Sequence, residues 1–564
     1  MRPRTLPVAA FAAGILLVAR SVCAIPLPQG SDNIAFSPVH ALGYDGAGVV
    51  VGVIDVGYAR WDHVTFYVSD DCHTSRVTRL GYYGGSTTYE GHATGVASIA
   101  FGRGASDGRA LSPAPGTEIW SASTSGKDAD IRQAFLDFST PNAQGNKAQI
   151  FVMSLAADVP DCGLYSMTMF MDWMATDRKA LIAFGAGNAP DKIAVPGGNY
   201  NQITVGGLDI TLTHPAALGH GPTFDGRAKP DILAPATGVY QTAHETPDGW
   251  YYNPGSWTSV ATPFVAGAAA LVRDYGDAQG WTWDPRVAKA VLLNGATKLE
   301  GWTHTDTQPL DYDQGAGRLN CEWSIYNYAA GEQNPGTVQS RGWDLELGSS
   351  RSQKRYNLAV AARPGYVISA TLDWWRYTTP IDGNLTGNYW TVSKFENFNL
   401  YLYRNSDCSL VARSVSSIDS VEHIFYHVVD EDTYTLLVEL AGSGTRTDTY
   451  GLAWNTLIPG DANGDGKIDG GDLATWQQHY DPTGAGNNLW TTGDWNWDGK
   501  VDGADLSLWQ QNYDPRGTGL GTPLTSQQLE QMFGISTVPE PASLILLTTA
   551  LLGALGVRRY RRAR

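Results

Sequence analysis

The sequence has few cysteines, few cations and no long apolar run. Of the five cysteines in 564 residues, Cys23 falls in a leader segment, and Cys72, Cys162, Cys321 and Cys408 leave room for two disulfides at most. Their three pairings stay open, because spacing does not separate them. Lys and Arg number 39 against 56 Asp and Glu, a formal charge of −17. A phosphate-binding surface needs clustered cations, so nucleic acid is not an expected partner. No apolar run reaches the roughly 20 residues that cross a bilayer comfortably. What the chain does have is 64 Gly, 19 Trp and 27 Tyr with only 17% charged residues, a turn-rich aromatic composition suited to an exported protein with much β structure. Its length exceeds one hydrophobic core and predicts roughly three or four units.

Both ends read as targeting segments. Arg2 and Arg4 precede LPVAAFAAGILLVA, and Val22 and Ala24 place small residues around a cleavage after Ala24, the pattern of a signal peptide over 1–24. Lipid attachment at Cys23 is disfavoured, since ARSV lacks the small residue that normally precedes the cysteine. Near the other end, VPEP at 538–541 leads into sixteen apolar or small residues, Ala542 to Val557, followed by Arg558, Arg559, Arg561, Arg562 and Arg564. The arginines would hold the end of this short membrane segment on the cytoplasmic side. The segment resembles a PEP-CTERM sorting signal. That resemblance implies recognition by an exosortase and residence at the cell envelope or surface, anchored transiently or permanently.

Between these ends the texture changes twice. After a polar extension at 25–45, the run VVVGVID ends in an acid, and AQIFVMSLAA, KALIAFGAGN and QITVGGLD follow, separated by polar segments long enough for helices. This pattern predicts an α/β domain over 46–330, a doubly wound parallel sheet with its functional groups at strand carboxyl ends. From 340 to 456, β-rich stretches such as NFNLYLYRN and DTYTLLVEL predict an antiparallel β-sandwich. A Gly-, Thr- and Gln-containing linker covers 517–537.

An internal repeat occupies 459–516. DANGDGKIDGGDLATWQQHYDP and DWNWDGKVDGADLSLWQQNYDP agree at fifteen of twenty-two positions. Each copy spaces hard oxygen donors as a calcium loop requires, with a glycine at the sharp turn. The expected ligands are Asp461, Asn463, Asp465, the carbonyl of Lys467, Asp469 and Asp472 in the first loop. Asp494, Asn496, Asp498, the carbonyl of Lys500, Asp502 and Asp505 are their counterparts in the second. With Asp at the twelfth position and one helix after each loop, the pair resembles a type I dockerin. The resemblance implies two Ca²⁺ sites, calcium-dependent folding and a cohesin-like partner. Trp476 and Trp509 are expected to be core residues that join the repeats.

A serine hydroxyl becomes a nucleophile only beside a base that a carboxylate orients. VVVGVIDVG carries Asp55, GHATGVASIA carries His92 and WTSVATPFVAG carries Ser259; FGAGN adds Asn188. In this order, and with GPTFDGRAKPDILAP and YDQGAGRLN, residues 46 to 330 resemble the subtilisin-like serine peptidases. The resemblance implies that Asp55 orients His92, that His92 moves the proton, that Ser259 attacks a peptide carbonyl, and that the Asn188 amide steadies the oxyanion. It also implies that Ser154, Leu155, Ala156, Ala157, Gly185, Ala186 and Gly187 border the peptide or protein substrate. HATGVAS and TSVATP separate the chain from the sedolisins.

Three departures from that family matter. Trp257 stands where glycine is usual, and a positive φ there would strain it. Ala156 and Ala157 replace two glycines and predict a narrowed primary pocket. The roughly twenty residues between Ala24 and the domain are fewer than the usual folding propeptide. The reading is therefore a secreted, surface-associated serine endopeptidase, and the alternative is an inactive subtilisin fold used for binding or surface structure.

Overall fold

The computed structural model describes residues 34–68, 74–104, 111–442, 444–486 and 488–517, together with Leu524 and Gln528. The signal peptide, Cys72, the rest of the linker and the sorting segment lie outside the described residues. Among the described residues no helix is long and apolar enough to cross a membrane. The expected transmembrane character of the chain thus has no helix to support it there. Cys162 and Cys408 carry no disulfide among the described residues.

The apolar runs of the first half become strands: β1 (Val50–Asp55), β2 (Val77–Tyr83), β3 (Glu118–Thr124), β4 (Ile150–Met153), β5 (Ala157–Pro160), β6 (Leu181–Gly185), β7 (Ala194–Val195), β8 (Ile203–Leu208), β9 (Ile232–Pro235), β10 (Thr237–Thr242) and β11 (Trp250–Ser256). Seven of them form one parallel sheet in the order β2-β3-β1-β4-β6-β8-β9. Strands β4, β6, β8 and β9 are buried along their whole length, which is why they read as unbroken apolar runs rather than alternating ones. β1 pairs with β3 on one side and β4 on the other, so chain order reverses beside it, and functional groups gather at the carboxyl ends of such strands.

Helices α1 (Ser37–Ala41), α2 (Gly91–Phe101), α3 (Asp128–Phe138), α4 (Ser166–Arg178), α5 (Thr258–Gln279), α6 (Pro285–Asn294) and α7 (Cys321–Ala329) accompany the strands. α2, α5 and α6 share one apolar core with the sheet. α3 and α4 share the other, through Phe135 and Phe170. The expectation of helical crossovers holds only in part, because the connections 186–202 and 209–231 contain no helix. Pro196, Gly197 and Gly198 interrupt the first and Pro215, Gly219 and Pro222 the second. Missing N–H groups and glycine entropy both oppose a helix there.

Two antiparallel-type sheets follow. One has five strands, in the order Gly336–Val338, Lys354–Leu358, Tyr434–Leu440, Phe398–Arg404 and Leu410–Ser414; the other has four, Arg341–Ser349, Thr447–Leu457, Val367–Trp374 and Val421–His427. The sandwich therefore begins four residues ahead of the expected 340, with a strand that pairs in parallel with Lys354–Leu358. Trp374, Tyr356, Tyr450 and Trp454 fill its interior.

The sandwich and the α/β layers are held together by buried charge. Lys289 of α6 is fully buried, with Nζ 3.1 Å from Asp373 of the sandwich, 3.8 Å from Asp231, and a hydrogen bond of 2.9 Å to the Tyr200 carbonyl. Arg376 donates to Asp172 at 2.8 Å, and Asn201 exchanges two hydrogen bonds with the Arg376 backbone. Removing one partner of such a set leaves an uncompensated charge in a dry interior.

In the repeat pair, α8 (Gly470–Gln478) and α9 (Gly503–Asn512) follow the two loops. Trp476 and Trp509 are buried and bond reciprocally: Trp476 Nε1 donates to the Asp502 carbonyl and Trp509 Nε1 to the Asp469 carbonyl, both at 2.9 Å. They are core residues, as the sequence suggests. The loops differ at one position where the pair meets the rest of the chain. Gly464 (φ +76°) lies against the Trp323 indole, where a Cβ would come within 2.6 Å. Its counterpart Trp497 (φ +62°) packs edge-on to Phe425 and His427.

Candidate active site and oxygen-rich loops

Asp55 ends β1 and is fully buried. Its Oδ1 accepts the Val56 N–H at 2.7 Å, which leaves Oδ2 for His92 Nδ1 at 2.8 Å. His92 stands in the first turn of α2, a helix capped by Glu90, whose carboxylate accepts the His92 and Ala93 N–H groups at 2.7 and 3.3 Å. Burial pulls the imidazole pKa down, but the hydrogen bond and charge of Asp55, with the charge of Glu90, outweigh it and leave His92 above its usual value. The ring is 37% exposed, so its Nε2 edge is open to a substrate.

Ser259 is the second residue of α5 and half-buried. Among the described residues no hydrogen bond joins its hydroxyl to His92, yet both side chains line one cleft of about 580 Å³, together with Asn188. A free site of this type often has loose contacts that tighten when substrate binds. Two side chains fix the start of α5. Ser154, just past β4, donates to the Ser259 carbonyl at 3.2 Å, and Thr258 donates through N and Oγ1 to Asn188 Oδ1 at 2.9 and 3.1 Å. A backbone N–H can only donate, so the Asn188 atom facing it is the oxygen. The amide nitrogen is left as the donor on the other branch of the Asn188 side chain. Gly185 at the end of β6 lets this approach happen, because a Cβ there would lie 2.6 Å from Thr258 Oγ1.

Trp257 is the N-cap of α5 with φ −145° and ψ 133°. This is extended backbone, so the strain expected for a positive φ does not arise. Trp257 is 47% exposed, and its ring lies over Gly255, where a Cβ would sit 2.5 Å from the indole nitrogen.

The expected substrate-bordering residues divide. Ser154 is tied to the backbone of Ser259. Leu155 is half-buried, while Ala156 and Ala157 are exposed. Ala157 opens β5, which pairs with β7. Gly185, Ala186 and Gly187 are buried, with the Ala186 N–H bonded to the Val205 carbonyl at 2.9 Å. None of these seven lines the cleft. Glu90 and Thr258 position the site but were not singled out from sequence; a Glu at a helix start and a Thr beside the serine were the only local signs. Gln241, His244 and Glu245 of the cleft gave none.

The oxygen-rich loops are wound by their own acids. Asp461 accepts the Gly464 and Gly466 N–H groups at 2.7 and 2.9 Å, and Asp494 accepts those of Asp498 and Gly499 at 3.1 and 2.9 Å. Gly466 and Gly499 turn at φ +82° and +80°. Asn463 and Asn496 accept from Asp465 and Asp498; Asp465 and Asp498 in turn accept the Lys467 and Lys500 N–H groups. Asp472 and Asp505 complete capping boxes with Asp469 and Asp502. Burial pushes Asp461, Asp472 and Asp505 up to about 7 and Asp494 to about 6. Among the described residues no three His, Cys, Asp or Glu side chains gather closely enough to hold a metal ion. The donor chemistry, carboxylate, amide and carbonyl oxygen alone, fits a hard cation such as calcium.

Comparison with known proteins adds family context. Residues 46–317 match the subtilase family, 459–512 the dockerin type I domain and 537–562 the PEP-CTERM protein-sorting motif. Pyrolysin of Pyrococcus furiosus is 27% identical over 342 residues, 55% of this chain and 23% of its own. Serine protease AprX of Bacillus subtilis is 31% identical over 268 residues, 42% of this chain and 58% of its own. Subtilisin BL of Lederbergia lenta is 27% identical over 279 residues, 48% of this chain and 92% of its own. The chain thus spans less than two thirds of the first two relatives.

Proposed function

We propose that this chain, whose residues 46–317 are a subtilase-family domain, is an exported serine endopeptidase held at the cell envelope. Ser259 Oγ attacks the scissile carbonyl while its proton passes to His92 Nε2. Asp55 keeps the other ring nitrogen protonated and stabilises the imidazolium. The Asn188 amide and the Ser259 N–H receive the negative charge on the carbonyl oxygen. Collapse breaks the C–N bond, His92 returns the proton to the leaving amine, and water then releases the acyl group by the reverse proton path. The observation that supports this most is the 2.8 Å contact from Asp55 to His92, on the wall of a cleft that also contains Ser259 and Asn188.

Fluorophosphonate labelling of the folded protein, with Ser259→Ala as control, tests the reading. Labelling that depends on Ser259 is expected. A folded protein that stays unlabelled belongs instead to the inactive, binding type of subtilisin fold.

Dockerin type I domains typically bind calcium, and in the same proposal the two loops each take one Ca²⁺ through Asp461, Asn463, Asp465, the Lys467 carbonyl, Asp469 and Asp472, and through Asp494, Asn496, Asp498, the Lys500 carbonyl, Asp502 and Asp505. A calcium-linked rise in thermal stability of the full chain, reversed by chelation, is the expected result. The repeat pair would recruit a cohesin-like partner, and the PEP-CTERM motif would bring the chain to an exosortase.

A further inference from the structure

Ser259 has two sides, and they differ in what they offer. On one, Ser154 is bonded to the Ser259 carbonyl and leads to the exposed edge at Ala156 and Ala157. On the other is the cleft of about 580 Å³, which borders His92, Ser259 and Asn188 but none of Ser154–Ala157 or Gly185–Gly187. His92 Nδ1 is committed to Asp55, so only Nε2 can hand a proton to the leaving nitrogen. The segment that departs has to lie along His92, and its first side chain has to enter this cleft.

The walls are apolar near the chemistry and polar at the rim. Val96 stands one turn beyond His92 on α2, and Val260 follows the nucleophile; both are buried. Trp257 adds a ring where a glycine would leave open space. The segment joining β10 to β11 supplies His244 and Glu245. Among the described residues the lining has one carboxylate, Glu245, and neither Lys nor Arg. Nearby Arg60 is held by Asp62 at 2.8 Å and by the His244 carbonyl, so its charge is already countered. His244 Nδ1 lies 3.5 Å from Glu245.

Resting on the peptidase reading above, we infer that this cleft selects the residue immediately after the scissile bond, and that it favours Lys or Arg there over Asp or Glu. The aliphatic stem packs between Val96, Val260 and Trp257, while the cationic tip meets the Glu245 carboxylate and the indole face. An acidic tip meets a like charge instead. Glu245 is 68% exposed at its side chain, so the attraction is partly screened and the preference is sensitive to salt.

Peptide pairs that differ only in the residue after the cleaved bond, Lys against Glu, test this with the full-length protein. The expected kcat/KM ratio is about tenfold in favour of Lys at low salt, shrinking to a few-fold in Glu245→Gln and at high salt. A second measurement needs no variant: argininamide should capture the acyl-enzyme several-fold better than glutamic acid amide at equal concentration. A Lys-to-Glu ratio of one or less, or equal capture by the two amides, overturns the inference while Ser259-dependent labelling leaves the peptidase reading standing. Loss of that labelling in folded protein overturns both.

Discussion

The Ser259 cleft and the oxygen loops are built in opposite ways. Asp55, His92 and Ser259 are spread over about 200 residues of chain, from 55 to 259, and meet only because β1, α2 and α5 pack around one sheet. Each loop keeps all its donors within twelve consecutive residues, and its own backbone N–H groups fold those donors inward. A site assembled over distance depends on every layer that holds the sheet and on the residues that aim its side chains. A local site depends chiefly on its turn glycines, so damage to the sandwich should reach the cleft before it reaches the loops.

Asp55→Asn should have the largest effect on the assembled site, about 10⁴-fold in kcat, since the imidazole loses both its orientation and its charge partner. Only neutral His92 accepts the serine proton, so kcat/KM rises with pH through the His92 pKa, which lies above the ordinary value of about 6.5. In Asp55→Asn the hydrogen bond and charge that raise it are gone and burial still lowers it. The acid limb of the residual pH profile should therefore move to lower pH; a limb that stays put argues that Asp55 is not what raises His92.

Lys289→Met tests the dependence on packing. It leaves buried Asp373 without its direct cation, while Asp231 keeps Lys229, and should cost about 3–5 kcal/mol, read as a lower midpoint in chemical unfolding. Turnover should fall with it at temperatures where calcium binding to the loops persists. Loss of both together would break the contrast between the two sites.

Asn188→Ala removes one oxyanion donor and should lower kcat by about 10²–10³-fold with little change in KM, a magnitude already measured for such a donor in a subtilisin. The smallest effect is expected from Trp497→Gly. It relieves a left-handed tryptophan, about 1–2 kcal/mol, but forfeits a half-buried ring against Phe425 and His427 worth somewhat more. A net loss of about 1 kcal/mol, with calcium affinity of the second loop retained, would show that this residue serves docking rather than metal binding.

Much of this was legible in advance where the signal is local. Runs buried on both faces, as in β4 and β6, read directly as parallel strands, and the repeat carries the spacing of its oxygen donors in plain sequence. Segment length predicts helical crossovers after β6 and β8, but Pro196 and Pro222 with their neighbouring glycines outweigh it and no helix forms there. A tryptophan where glycine is usual predicts strain at a positive φ, yet Trp257 has a φ of −145°, extended backbone that any residue can adopt. The roles of Glu90 and Thr258 were missed because each acts on a partner whose distance is set by folding.

By itself, the sequence determined the sheet-forming segments, the order of Asp55, His92 and Ser259, and the twelve-residue oxygen loops, since periodicity and short spacing are properties of the local chain. Only the tertiary structure decided which face of Ser259 is open, that Asn188 turns its oxygen to Thr258, and that equivalent loop positions hold Gly464 beneath Trp323 and Trp497 against Phe425. Those outcomes depend on excluded volume and hydrogen-bond partners brought from distant segments, and no local pattern encodes them.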